Sequence, residues 1–422
     1  MEQAEAPARS EFPSRPLRQG RTAESASPLG VPVGLFGLCL FTFGIVTYYF
    51  LPAAKIGAGI GLAGLLLQLG SVRISSPVWC YALFILWAFL ASFTSQYQAI
   101  AIDEILEHLK MLTVVLILVN SVRTRRHLRF YLLFFLGCFM LFPVRGTIIG
   151  GDDVAGRAVW NYIYSNPNDL AALSLLTLGI ALGFAFSRQT HALVRLGAGA
   201  SAVLLLAVML KTQSRGAFIG LVVGMGPALV WHAIKRPFRL LIVITSAALI
   251  IGPQIPPRVW ERLAGIGKLT SESTIADADA EGSAAQRYAI QQVALQIFRA
   301  DPVFGVGLGA YPFENDRYAP DLGMKDPHST YLSLLTEVGA PGCLLWGALV
   351  WSAARFAYRM RKASADPLGA QQAWLEHALW AYLVAALFGS FAGVTFLYLI
   401  LGLLWCSGSL LRRSLPPSPS SQ

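Results

Sequence analysis

Three residues in this sequence carry side chains able to hold an anion and move a proton: Arg215, Arg287 and His328. Arg215 lies in Lys211-Thr-Gln-Ser-Arg-Gly-Ala217, where one apolar run ends and the next begins. A cation at the hydrocarbon edge is costly unless it snorkels or finds a partner. The guanidinium fork matches phosphate oxygens, and the following glycine allows close approach of a ligand. The competing reading is a snorkelling interfacial arginine. Arg287 opens a stretch to Arg299 in which Ile290, Val293, Ala294 and Ile297 recur at helical spacing, with glutamines between. A salt bridge to a local acid competes with function there. His328 follows Pro327 at the start of an apolar run, where a helix N-terminus brings free N–H groups and partial positive charge. That environment lowers a histidine's pKa and leaves it neutral, able to accept a proton near pH 7. An ordinary interfacial histidine is the competing reading.

The elements that must position these residues are apolar helices. The chain has 422 residues, is 55% hydrophobic and only 13% charged, and its mean hydropathy is +0.56. Soluble domains carry about a quarter charged residues. The composition and its long apolar runs therefore predict an all-α polytopic membrane protein. Twelve spans are expected near 32–51, 56–71, 77–94, 100–120, 129–149, 168–187, 192–210, 216–233, 238–254, 328–354, 374–392 and 395–411. The second is short and glycine-rich, which suits little tilt or a thinned bilayer. The chain then divides into a disordered cytoplasmic tail (1–30), spans one to nine (31–254), a long polar and partly helical loop (255–327), spans ten to twelve (328–411) and a short cytoplasmic tail (412–422). A signal peptide competes for the first apolar run, but that run is long for one and more spans follow.

The basic residues orient the spans. With the N-terminus inside, 20 Lys/Arg fall on inner segments and span ends, against 6 outside the long loop on the other face: Lys55, Lys110, Arg145, Arg157, Lys211 and Arg215. The positive-inside rule then puts both termini in the cytoplasm and the long loop outside, which in a bacterial inner membrane means the periplasm. The inner clusters are explained as topology determinants. The outer cations have no such explanation. The net charge of +10 sits mainly in short loops, so no nucleic-acid surface is expected.

The long loop carries seven Lys/Arg against ten Asp/Glu, so an anion site within it needs a few placed arginines. Its Gly305-Val-Gly307-Leu-Gly309 run lacks the strand–helix context of a dinucleotide loop and reads as a tight-turn connector. Asp277-Ala-Asp279 mimics a metal-binding Asp-x-Asp, but its Ser/Ala/Glu-rich setting argues against a metal, and none is expected. Ser165-Asn-Pro-Asn168 reads as a cap, Asn166 at the N-cap and Pro167 at the first helical position, with room for a substrate contact from Asn166 and Asn168. The five cysteines lie in or beside apolar runs and suggest packing.

In order and spacing, Ser165–Asn168, Ser214-Arg-Gly-Ala217, Arg287 with its aromatic neighbour, Asp301-Pro-Val-Phe-Gly-Val-Gly-Leu-Gly309 and His328-Ser-Thr-Tyr-Leu332 with Glu337 and Gly339 resemble the O-antigen ligase family. Its relatives include O-antigen polymerases and ligase-like protein O-oligosaccharyltransferases. The resemblance covers roughly residues 160–350, and Ser329 stands where many relatives have asparagine. It implies a GT-C-like membrane enzyme: a metal-independent, inverting glycosyltransferase without cofactor. Such an enzyme moves a preassembled glycan from undecaprenyl diphosphate to lipid A–core in lipopolysaccharide biosynthesis. Arg215 and Arg287 would hold the diphosphate, and His328 would orient or deprotonate the acceptor hydroxyl. Lys211, Arg145 and Arg157 would be further contacts.

Within that family the ligase is expected over the protein-glycosylating branch, because the sequence closes soon after its last apolar run. Polymerase and ligase share a donor and differ in acceptor. A secondary transporter would place ionisable residues near the middle of broken spans, whereas the three residues here sit at one interface.

Overall fold

The computed structural model describes residues 29–47, 51–151, 153–154, 156–235, 245 and 283–416. Helices occupy eleven of the twelve expected segments: α1 Gly30–Thr47, α2 Leu51–Leu66, α3 Ser76–Ser92, α4 Gln98–Ser121, α5 Arg125–Phe139, α6 Pro167–Phe186, α7 Ala192–Thr212, α8 Arg215–Gly220 continuing through a π turn into α9 Gly226–Lys235, and, after the loop, α12 Thr330–Ala363, α13 Leu368–Ala385 and α14 Thr395–Arg413. The polar segment supplies α10 Ser283–Ala300 and α11 Tyr311–Tyr318. The expected ninth span, most of the first half of the polar loop and Asp277-Ala-Asp279 lie outside the described residues. Among the described residues six helices are long and apolar enough to cross a membrane: α1, α5 with its π-helical extension to Gly150, α6, α7, α12 and α14. One departure from all-α structure is a small antiparallel ribbon pairing Asp153–Val154 with Arg157–Ala158.

Small residues explain the glycine-rich second helix. Cβ atoms at Gly37 or Gly57 would collide with the facing backbone, so α1 and α2 pack in direct main-chain contact. Bilayer thinning is not needed to rationalise those glycines.

Local chemistry sets the helix starts. Ser75 caps α3, Thr124 caps α5, Asn166 caps α6 with Pro167 behind it, and Ser214 caps α8, each side chain accepting a backbone N–H. The most consequential element is α12. Its 34 residues break at Gly339, where φ is 66°, and Pro341 follows. The loop after α10 fills the break. Ala340 N–H donates to Pro302 O (2.9 Å), Val306 N–H to Thr336 O (2.9 Å) and Gly307 N–H to Glu337 O (2.9 Å). The Glu337 carboxyl lies near the backbone N–H groups of Gly309 and Tyr311. Gly305, Gly307 and Gly309 all have positive φ, and a Cβ at Gly305 would stand 2.6 Å from Thr336 O. The glycine run is thus a tight-turn connector that is also stitched into a helix break. Backbone groups released by the break are satisfied inside the protein, as a membrane setting requires.

Two further clamps fix the polar segment. The α3–α4 turn holds α11, with Gln96 Nε2 and the Tyr97 hydroxyl donating to Glu314 at 2.6 and 3.0 Å. Ile290, Ala294 and Ile297 of α10 close with Tyr311 into a small core that also takes in Leu332 of α12. That core fixes the start of α10 against the start of α12.

A candidate anion-binding active site

Arg287 lies one turn before Ile290, and His328 four residues before Leu332, so the small core brings their ends of α10 and α12 together. His328 is half-buried and has φ of 52°, a conformation rare outside glycine. Its imidazole is pushed down to about 4, first by burial and then by the charges of Arg287 and Lys325. The sequence reasoning expected a lowered pKa from the helix N-terminus. The direction agrees, but the causes are burial and two neighbouring cations. Lys325 escaped that reasoning; the signal was a lysine three residues before the histidine.

Arg215 is placed by a second set of contacts. It is half-buried at the first position of α8, after the Ser214 cap. Ser214 Oγ donates to Asn168 Oδ1 (2.9 Å), which also accepts from an Arg157 Nη (2.9 Å). Arg157 Nε donates to Thr212 O (2.9 Å), and Gln213 Nε2 donates to Gly156 O (2.9 Å). The short ribbon and the starts of α6 and α8 are thereby tied into one unit. Arg157 and Asn168, expected as substrate contacts, spend these bonds on bracing Arg215's turn. Asn166 Oδ1 is likewise occupied, capping α6 at the Asn168 N–H (2.9 Å).

The two sets meet on the turn between α13 and α14. A Cβ on Gly216 would lie 2.7 Å from Phe388. From the other side, Thr330 N–H donates to Ala386 O (2.9 Å), and Thr330 Oγ1 donates to Gly389 O and accepts from Phe391 N–H, both at 2.7 Å. Asp169 and Asp326 also interact across the gap. Arg287, Lys325 and His328 therefore form one group, and Arg215 with Arg157 and Asn168 a neighbouring one against the same turn.

Lys211 lies in the last turn of α7, and Arg145 between two π turns, where Gly146 packs on Trp160. The side chains of Arg145, Lys211 and Arg215 make no hydrogen bond or ion pair among the described residues. The non-glycine residues with positive φ among the described residues are Tyr162, Gln213 and His328. Each adjoins one of the motifs: the α6 cap, Ser214-Arg215, and the histidine itself. Strained backbone gathers at functional sites. His108 on α4 is 1% exposed, with the Tyr81 hydroxyl 2.9 Å from its Nδ1. No cluster of three or more His, Cys, Asp or Glu residues suited to a metal occurs among the described residues.

Apolar helices of membrane-crossing length mark a multi-pass membrane protein. Residues 200–347, about a third of the chain, match the family model described as O-antigen ligase. The match takes in Lys211, Arg215, Arg287 and His328 but stops short of Arg145, Arg157, Asn166 and Asn168. It supports transfer of a lipid-linked glycan in general terms. No curated protein matches the sequence.

Proposed function

We propose that this protein is an O-antigen ligase of the bacterial inner membrane, transferring a preassembled glycan from undecaprenyl diphosphate to lipid A–core at a periplasmic site. The observation that carries the reading is His328, held half-buried at positive φ beside Arg287 and Lys325. Arg215, whose side chain makes no hydrogen bond or ion pair among the described residues, adjoins Gly216, which abuts the same turn.

The chemistry follows from those residues. A polyprenyl diphosphate keeps its tail in the bilayer and its anionic head at the interface. Arg215 and Arg287 bind that head and stabilise the charge that builds on it as the glycosidic bond breaks. The acceptor hydroxyl attacks from the opposite face, with inversion, and gives its proton to His328. An imidazole near 4 is a weak base until the donor arrives. The bound diphosphate offsets the fields of Arg287 and Lys325 and raises the imidazole toward the range where it accepts a proton efficiently. Substrate would in this way switch on its own base. Lys211 and Arg145 lie in the adjoining elements and serve as outer contacts to the glycan or diphosphate. Arg157, Asn166 and Asn168 act by holding Arg215's turn.

The test uses purified protein, a polyprenyl-diphosphate glycan and lipid A–core, with chelator throughout. Wild type should join glycan to core, and His328→Ala should bind donor but fail to transfer. A fully active His328→Ala enzyme would refute the mechanism. Glycan lengthening with the core left untouched would identify a polymerase instead.

A further inference from the structure

The opposite end of the helices holds a second cation cluster that the transfer reaction does not use. Helix α4 runs 24 residues from the α3–α4 turn, about 36 Å at 1.5 Å per residue, and delivers Arg123 to the far face. There Arg123 Nε donates to Asn120 O (2.8 Å) and an Nη to Ser71 O (2.8 Å). Arg413, at the end of α14, donates to Arg123 O (3.1 Å). Asn120, 0% exposed, clamps the main chain of Arg73 with two bonds: Arg73 N–H to its Oδ1 (2.7 Å), and its Nδ2 to Arg73 O (3.0 Å).

Asn120 thus ties together the Arg123 guanidinium and the Arg73 main chain, with Arg413 joined on through Arg123 O, and none of the three guanidiniums has a carboxylate partner among the described residues. The acid that α12 and α13 bring to this face, Asp366, is taken by Arg125. Arg73 sits below the usual arginine range through burial and then the charge of Arg413, and Arg123 through burial and then Arg73. The carbonyl ends of α4 and α14 offset part of this charge, about half a unit each. Roughly two positive charges are left over. Arg123's donors are engaged by backbone and Ser71, whereas the side chain of Arg73 makes no hydrogen bond among the described residues and exposed Arg413 has donors to spare.

An apolar groove of about 500 Å³ opens at the same end, lined by Leu35, Phe36, Phe43, His127, Phe130 and Phe134. Its His127 lies 3.1 Å from Ser121 O, two residues from Arg123.

We infer that Arg73 and Arg413, held in place by Arg123 and Asn120, bind the phosphate of an anionic phospholipid in the leaflet opposite His328, with an acyl chain along the α1–α5 groove. Guanidiniums are matched to phosphate oxygens, and the groove supplies the apolar half that a free phosphate would not use.

Full-length protein in detergent, examined by native mass spectrometry and thermal melting, tests this. Phosphatidylglycerol should be retained and should raise the melting temperature more than phosphatidylcholine does. The double variant Arg73→Gln/Arg413→Gln should hold phosphatidylglycerol about tenfold more weakly, the scale of one lost charge-assisted hydrogen bond. Arg188→Gln, on an exposed basic residue of the same face, should leave retention unchanged. Arg123 is kept because its bonds close the end of α4. Equal retention of the two lipids, or undiminished phosphatidylglycerol binding by a folded double variant, overturns the assignment. Stabilisation by inorganic phosphate alone at matching concentration would show an anion site that takes free phosphate, and would overturn the lipid.

Discussion

The two ends of this molecule are both basic, but their cations sit at opposite ends of helices. At the far face, Arg123 and Arg413 end α4 and α14, where carbonyl groups accept their N–H bonds and the helix dipole favours positive charge. At the His328 end, Arg215 is the first residue of α8, Arg287 lies near the start of α10, and His328 precedes α12. There the dipole adds to the cations instead of offsetting them. The starts of α8, α10 and α12, with that of α6 close by, turn their N–H ends toward a region that also holds Asp169 and Asp326. Position relative to helix ends therefore separates cations whose charge the helix ends offset from cations whose charge they reinforce.

This contrast is open to attack by mutation. The largest effect should come from His328→Ala, a loss of roughly 10²- to 10⁴-fold in transfer, the range for a proton-accepting group. Arg215→Gln and Arg287→Gln should each cost about 10²- to 10³-fold, as for a lost donor to developing charge, in an assay of glycan transfer at saturating acceptor. Arg123→Gln at the far face should leave turnover of folded protein unchanged. A comparable loss there would erase the distinction between the two ends.

A second prediction concerns the helix break. Gly339→Ala places a Cβ against Val303 O at a φ of 66°, a strain of about 1–3 kcal/mol, and should lower the melting temperature. Because the break anchors the loop beneath Arg287 and His328, transfer should fall as well. Replacing Gly59, where a Cβ meets nothing, should leave both unchanged.

The pH response sharpens the comparison further. His328 sits at about 4 in the folded protein against an ordinary 6.5. Between those values the unfolded chain binds a proton that the folded chain does not, so His328 favours folding at neutral pH and that contribution is lost as pH falls from 6.5 toward 4. Melting temperature over this interval should fall more steeply in wild type than in His328→Gln. Undecaprenyl diphosphate should shrink the wild-type fall, because raising the folded imidazole toward 6.5 narrows the interval in which only the unfolded chain is protonated. The smallest effect is expected of Asn166→Ala, which removes a cap worth about 1 kcal/mol and should change stability with little change in transfer.

Much of the fold was legible because apolar runs of membrane length have few other destinations; α6, α7 and α14 fall within three residues of the segments read from hydropathy. His328 and Arg215 were legible for a related reason: a polar residue at the mouth of an apolar run must be stabilised by something. The rest depended on tertiary contact. Nothing local marks Gly339 as the place where residues 302–307 plug a broken helix, since that needs Val303 and Pro302 to arrive from elsewhere. Arg157 read as an unexplained outer cation, but its bonds to Thr212 and Asn168 make it a brace. His108 lies among acidic helix neighbours, and only tertiary contact brings Tyr81 of α3 as the partner that lets it be buried.

The most direct test of the central claim is the affinity of purified protein for undecaprenyl diphosphate without glycan, measured for wild type, Arg215→Gln, Arg287→Gln and Arg123→Gln. Both changes at the His328 end should weaken binding by about tenfold or more, with strong salt dependence in the wild type, and Arg123→Gln should bind as wild type does. Equal affinity in wild type, Arg215→Gln and Arg287→Gln would contradict the claim that these helix starts hold the anionic head of the donor.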